Sequence, residues 1–511
     1  MAAKILMTIL VIAVSINCIS QKKNQVNYLN QKLPGMTAGL FAPGIVSTGL
    51  SEHSTPAFSP DGSIVLWTVM DKTYRGYLLE MKYKNGSWSK PVRPSFADTT
   101  ADDFYASFSP DGKKLFFSSR RKVPAGYPEG RDIRIWEVVK NSDGWGKPMP
   151  FDTTVSQGQD YAHSIAKNGT LYFSSALGGE TNMNIRKSEK INGRNIKPVL
   201  LPYSINSVDY EDGPYIAPDE SFLIFESQRP EGIEGSLDLY ISFKNKNGRW
   251  GMPVNMGSKI NSGSSERFAR LSPDGKFLFF GSSRNMSADN WGFDIYWIEA
   301  KVIDELRNDE AAKTIIEQPL GDEVINALYK NDVEGAAVSL KKWHSLYPNS
   351  LDATVIYSSN LRKQKRYAEA EQLLANKAGQ WDKNANIIME KALSKFGLNK
   401  EEEAVKLLSP LMKGEAQTER YKYISNALLE MGKFKASDDY FQNAMAINAN
   451  GYEYLRRASK FISINEKDRA FETLNKALAF DYLTKNDFEN DAGLAPLKSD
   501  ARWKLLVEKL K

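Results

Sequence analysis

The chain of 511 residues has a single cysteine, Cys18, and three histidines, His53, His163 and His344. One cysteine near the N-terminus excludes a disulfide framework and a cysteine-based metal centre, and three scattered histidines leave little from which to build a zinc site. Charge of one sign is equally scarce. The 67 basic residues stand against 62 acidic ones, a net of +5 that is too small over this length to indicate a nucleic-acid binder. There is no Gly-x-Ser-x-Gly elbow, no phosphate-cradling glycine loop and no His-Glu-x-x-His, so the usual hydrolase, nucleotide and zinc-peptidase signatures are missing. Only one long apolar run occurs, ILMTILVIAV after Lys4, and it is too short to span a bilayer comfortably.

That run reads as a secretory leader over residues 1–20, with SINCIS as its small-residue exit. Two fates remain open: cleavage after Ser20, or lipidation of Cys18. Either predicts export to the periplasm or an outer-membrane-associated lipoprotein. Residues 21–36 are polar and are expected to form a tether.

What is abundant is repetition. SPDGSIVLW begins at Ser59, SPDGKKLFF at Ser109 and SPDGKFLFF at Ser272, with looser copies AKNGTLYFSS from Ala166 and APDESFLIF from Ala217. Their turn residues Asp61, Asp111, Asn168, Asp219 and Asp274 are spaced 50, 57, 51 and 55 apart. Proline presets φ, Asp or Asn bonds its own following backbone, and Gly accepts the left-handed conformation that folds two strands back. Each copy holds about four strand-like pieces, which is the signature of a β-propeller over residues 37–300. Trp88, Trp145 and Trp250 each precede a proline by three residues and are expected to pack between blades. The last copy lacks its fourth strand, and GLFAPGIV (39–46) precedes the first. A ring closed by that N-terminal strand explains both, and gives five blades, or six if a degenerate one is hidden.

After a charged junction at 301–319 a helical period of 33–34 residues takes over. Ala336, Ala370, Ala404, Ser437 and Ala470 open the second helices, and Leu340, Leu374, Leu408, Phe441 and Leu474 follow four residues later. Helix pairs of this kind bury their apolar faces only by stacking, which predicts an α-solenoid over 320–511 with a concave groove and a C-terminal capping helix. The fold class is therefore multidomain β plus α, a propeller followed by a solenoid.

The SPDG turns with LFF and Asp294-Ile295-Tyr296 resemble the TolB-type, WD-like propeller repeats of bacterial envelope proteins, and residues 320–511 resemble tetratricopeptide repeats. The resemblance implies an exported scaffold, of Bacteroidetes-like type, that binds envelope proteins or peptides without a cofactor. It also implies that Asn326, Asn360 and Asn426, on the first helices, face the groove and bond a peptide backbone; the plain alternative is a surface amide near a helix end. Tyr357, Tyr421 and Tyr454 on the same helices are read as core or rim.

Eight residues before each turn stand His53, Asp103, Asp160, Glu211 and Glu266, with Glu52, Asp102 and Asp212 beside them. Inner strands line a propeller's channel, so these predict a ring at one mouth that holds a cation, a basic side chain or a glycan. A glycoside hydrolase would need two such carboxylates at about 5–10 Å. The alternative is that each acid accepts hydrogen bonds within its own blade, which repetition at one level favours.

Overall fold

The computed structural model describes residues 26–510 apart from 74, 126, 128–132, 143, 157–158, 177–182, 208–209, 230–236, 287–291, 308–316, 331, 376–378, 380 and 414–416. The leader and Cys18 lie outside the described residues.

Five antiparallel sheets form the blades of the propeller. Blade 1 opens with Ser51–Phe58, blade 2 with Asp103–Phe108, blade 3 with Asp160–Ile165, blade 4 with Glu211–Ile216 and blade 5 with Glu266–Leu271. Each opening strand returns through the repeated turn into a second strand. The turn works as its residues predict. Asp61 Oδ1 accepts from the Ser63 amide at 3.0 Å, and Gly62, Gly112 and Gly275 take φ near +70°. Blade 4 puts Glu220 there at φ 58°. Its carboxylate accepts from Tyr172 Oη (2.6 Å) and Asn168 Nδ2 (3.1 Å) of blade 3, which offsets that strain.

The second strands are buried except at Met70 and Lys114, because neighbouring blades cover both faces. Ile224, Phe225, Phe279 and Phe280 are fully inaccessible. The tryptophans sit between blades: Trp145 of blade 2 donates Nε1–H to Glu80 of blade 1 at 2.5 Å.

Gly39–Leu40 supplies the fourth strand of blade 5, pairing Gly39 with Trp297 and Leu40 with Tyr296. Phe41 follows into the seam between blades 5 and 1, edge-on to Phe279 (4.9 Å) and Trp297 (5.0 Å). The stretch expected as a free tether is docked from Val26 onward. Tyr28 is 4% exposed among Phe58, Phe277, Phe279 and Trp297, and its hydroxyl donates to Asp274 at 2.6 Å. A buried aromatic with a satisfied hydroxyl turns a linker into part of the core.

Helix Lys301–Leu306 ends the propeller. Five helix pairs follow, from Gln318–Tyr329 with Val333–Leu346 through Gly451–Ser463 with Lys467–Ala477. Ala336, Ala370, Ala404, Ser437 and Ala470 are all fully buried, where small side chains let paired helices approach. A terminal helix, Ala501–Val507, covers the last pair with Trp503 and Leu506. Tyr203, in the connection from blade 3 to blade 4, joins the two parts. Its ring meets Trp343 edge-on at 5.1 Å, its amide donates to Asp322 at 2.7 Å, and its hydroxyl donates to Asp352. A Cβ on Gly321 would fall 2.4 Å from that ring, so the first solenoid helix needs glycine there.

Candidate functional site

The predicted ring resolves into one carboxylate clasp per blade. In blade 4, Glu211 is fully buried and accepts from the Ser207 amide (2.8 Å) and hydroxyl and from Ser227 Oγ (2.7 Å). Arg229 donates Nε–H to Ser227 Oγ at 3.1 Å and Nη2–H to the Ile205 carbonyl at 2.7 Å, with Nη2 3.6 Å from Glu211. Its guanidinium lies over Phe225 and Tyr240.

Blade 5 repeats this with Glu266, Ser262, Ser282 and Arg284, the guanidinium 3.1 Å from the carboxylate. In blade 2, Arg121 Nη2 reaches both Asp103 oxygens at 2.8 and 2.7 Å. In blade 3, Asp160 accepts from Ser156 Oγ at 2.9 Å. In blades 3, 4 and 5 the acid thus meets a serine of the loop entering its blade, and in blades 2, 4 and 5 it meets the end of the second strand through a Ser-x-Arg sequence.

Blade 1 departs from the spacing. Glu52 pairs with Val69 and Ser54 with Thr68, so His53 is the extra residue of a bulge. In blade 2 the equivalent pairs are Asp103 with Ser119 and Phe104 with Ser118. Glu52, not His53, is therefore the fifth clasp acid, and Thr48 Oγ1 donates to it at 2.9 Å as Ser207 does to Glu211. Blade 1 has Val69-Met70-Asp71 where blades 2, 4 and 5 have Ser-x-Arg. Among the described residues no arginine reaches Glu52, and its Oε2 has no partner. Burial, with Asp294 adding repulsion, pushes this carboxyl up to about 8.

A proton is thus held on folded Glu52 between about pH 4.5 and 8 that the unfolded chain releases, and stability falls as pH rises through that window. Glu52→Gln keeps the acceptor for Thr48 and removes the slope. It is expected to be close to neutral at pH 5 and to raise stability by several kcal/mol at pH 8, since each tenfold change in proton affinity is worth about 1.4 kcal/mol. Urea unfolding at both pH values checks this; parallel pH curves for variant and parent would refute it.

His53 points to the propeller's centre, where Nε2 meets Tyr105 Oη at 3.2 Å beside Phe104 and Phe268. Burial, with Arg267 and Arg120 nearby, lowers it to about 3, so it is neutral. Tyr105 and Phe268 hold φ of 57° and 50°, a conformation these bulky side chains rarely take, and their rings pack 5.0 Å apart in the channel.

Next to this plug lies a charged group that sequence reasoning finds only in part. Asp212 accepts from Ser174 Oγ, the Gly213 amide (2.7 Å) and Tyr210 Oη (2.7 Å). Arg267 donates Nη2–H to Asp212 at 3.3 Å and two N–H groups to Glu226 at 3.1 and 3.0 Å. Glu226 is fully buried, and burial raises it to about 7 against the opposing pull of Arg267. Asp212 is visible in the sequence as an extra acid. Glu226 and Arg267 do not stand out there, though Glu226 fills a slot held by Thr68, Ser118, Ser174 and Gly281 in the other second strands. One large acid among four small residues is the available signal. A single guanidinium neutralises one of the two carboxylates, so the group can store a proton near neutral pH.

The solenoid asparagines separate. Asn360 is 3% exposed, donating to the Val333 carbonyl (3.4 Å) and accepting from Gln364 (3.1 Å). It is held within the solenoid and does not face a groove. Asn326 is exposed and Asn426 half-buried. Successive first helices are bridged instead by Arg362, whose guanidinium donates to both Glu390 oxygens at 3.1 Å, and by Tyr423, whose hydroxyl donates to Glu390 at 2.6 Å. Tyr454 is core, edge-on to Phe441 at 5.0 Å. Between blades 3 and 4 and the first solenoid helix is a cleft of about 590 Å³ lined by Lys187, Lys244, Arg249, Trp250 and Asp322. Among the described residues no group of three or more His, Cys, Asp or Glu is placed to hold a metal, and no helix is long and apolar enough to cross a membrane.

No protein-family model and no curated protein matches the chain. Solved structures match each half. A putative TolB from Agrobacterium tumefaciens is 18% identical over 49% of this chain and 78% of its own, with a TM-score of 0.32. TolB from Acinetobacter baumannii is 16% identical over 48% of this chain and 56% of its own, with a TM-score of 0.30. MamA is 16% identical over 31% of this chain and 95% of its own, with a TM-score of 0.22.

Proposed function

We propose that this protein is an exported envelope scaffold, held in the periplasm or at the outer membrane through a lipid on Cys18. It binds protein partners through the clasp-end loops of the propeller and through the inner face of the solenoid, without chemistry of its own. The observation that carries this reading is the clasp. Asp103, Asp160, Glu211 and Glu266 are each engaged by serines or an arginine of their own blade, and aromatic rings fill the centre between them. Carboxylates committed in this way stabilise a platform and are not poised as an acid–base pair. Tyr203 then fixes the solenoid to that platform, so the two surfaces present themselves together. Asn326, Asn426, Lys422 and Arg456 offer polar contacts along the first helices, where an extended peptide would lie.

Affinity capture of the tagged chain from detergent-solubilised envelopes tests the reading, compared with a variant carrying Asn326→Ala, Asn426→Ala and Arg456→Glu. A stoichiometric set of envelope proteins that disappears in the variant is the expected result. An empty capture at native expression would sink the scaffold reading, and hydrolysis of a glycan by the parent chain would replace it.

A further inference from the structure

The face of the propeller opposite the clasps carries a charge pattern that the scaffold reading does not use. In every blade the third strand runs back to the turn end. There the Tyr83 amide donates to the Ser63 carbonyl (2.8 Å), that of Lys140 to Lys113 (2.8 Å) and that of Lys244 to Ser221 (2.9 Å), so the third-to-fourth strand connections and the SPDG-type turns share one face. The four connections 82–90, 140–147, 187–197 and 244–249 contain twelve lysines and arginines against two acids. With the turns, and with helix Lys301–Leu306 beside blade 5, the count is seventeen basic to nine acidic. The whole chain has a net of only +5, so the remainder is net acidic and the basic excess belongs to this face.

Two further observations bear on what it meets. The connection in blade 3 projects Ile191 and Ile196, 50% and 38% exposed, between Lys190, Arg194 and Lys197. Exposed isoleucines ringed by cations suit the boundary between headgroups and acyl chains. The N-terminal segment also arrives here. Val26 covers Gly62, Asn27 accepts from Trp88 Nε1 at 3.2 Å and Tyr28 reaches Asp274, only eight residues after Cys18 in the case of Val26. Val26, the first described residue, thus lies on the basic face.

We infer that this face docks on an anionic lipid surface, with the basic connections over the headgroups and the Ile191–Ile196 tip at the interface. Charge spread over four separate connections matches a planar array of phosphates better than a folded acidic partner. Polybasic surfaces of this density are drawn to anionic leaflets, and the attraction decays within a Debye length. The inference stands independently of the scaffold reading: either can fail alone.

The test is vesicle flotation of the chain from Gln21 onward, which keeps every described residue and carries no lipid. Vesicles of phosphatidylcholine with one third phosphatidylglycerol are compared with pure phosphatidylcholine. Flotation with the anionic vesicles only, abolished by 0.5 M salt, is expected. Substituting Lys84→Gln, Lys147→Gln, Lys190→Gln and Arg194→Gln is expected to lower binding at least about tenfold. A control variant in the solenoid, Lys383→Gln with Lys406→Gln and Lys413→Gln, should float like the parent. All these positions are exposed, and matching thermal unfolding confirms that folding is intact. Equal flotation with both vesicles, equal loss in the two variants, or no flotation at low salt would overturn the inference. Retention on immobilised polyglutamate without flotation would do so too, by assigning the face to an acidic protein surface.

Discussion

Replacing Arg229 by alanine is expected to cost the propeller about 3–5 kcal/mol, because it leaves a fully buried carboxylate without its counter-charge. Three losses coincide. Glu211 keeps its serine donors but no cation, the Ile205 carbonyl loses its 2.7 Å donor, and the flat guanidinium no longer fills the space over Phe225 and Tyr240. Burial already holds Glu211 above its ordinary range with Arg229 opposing, so removing the arginine raises it further and the penalty grows with pH. Lysine should rescue little, since one ammonium cannot serve Ser227, Ile205 and Glu211 together. Adding Glu211→Gln should recover part of the loss, and the double-mutant cycle reads the coupling. Urea unfolding followed by tryptophan fluorescence is the measurement. A loss below about 1 kcal/mol with no recovery in the double variant would show that the clasp contributes little.

The second large effect concerns ring closure. Phe41 is wholly buried against Phe279 and Trp297, and Phe41→Ala is expected to cost about 3–5 kcal/mol by opening a cavity in the seam. Deleting residues 37–50 goes further, because the strand Asp294–Glu299 then becomes an unpaired edge beside exposed aromatic rings. Such a chain is expected to unfold at much lower temperature and to aggregate with rising concentration. Light scattering during a thermal ramp checks both, and an unchanged profile would mean that the ring holds without its N-terminal strand.

How much of this is readable in the sequence differs from element to element. The SPDG turns report their own backbone, so blade count and boundaries follow from them. The small residues Ala336 through Ala470 do the same for the helix pairs. Spacing locates four of the clasp acids, and the arginines of three of them lie in plain view as Ser-x-Arg, but only the fold shows that the two ends meet. Spacing misplaces His53, because one inserted residue shifts a strand by half its period and the distance from a turn does not reveal where the bulge falls. Glu226 emerges only when slots are compared between blades. Tyr28 and Tyr203 carry no local signal, since each is defined by partners about 250 and 140 residues away along the chain.

The closure also sets a schedule. Ser47 bonds the backbone of Ile295 and Tyr28 bonds Asp274, contacts that span 248 and 246 residues. Loop closure over such distances is slow, and these contacts cannot form until nearly three hundred residues have been made and moved. The first part of the chain to be synthesised is therefore the last to find its place. During that interval blade 5 has a bare edge, so a newly made copy depends on finishing its own circle before it meets a second open one.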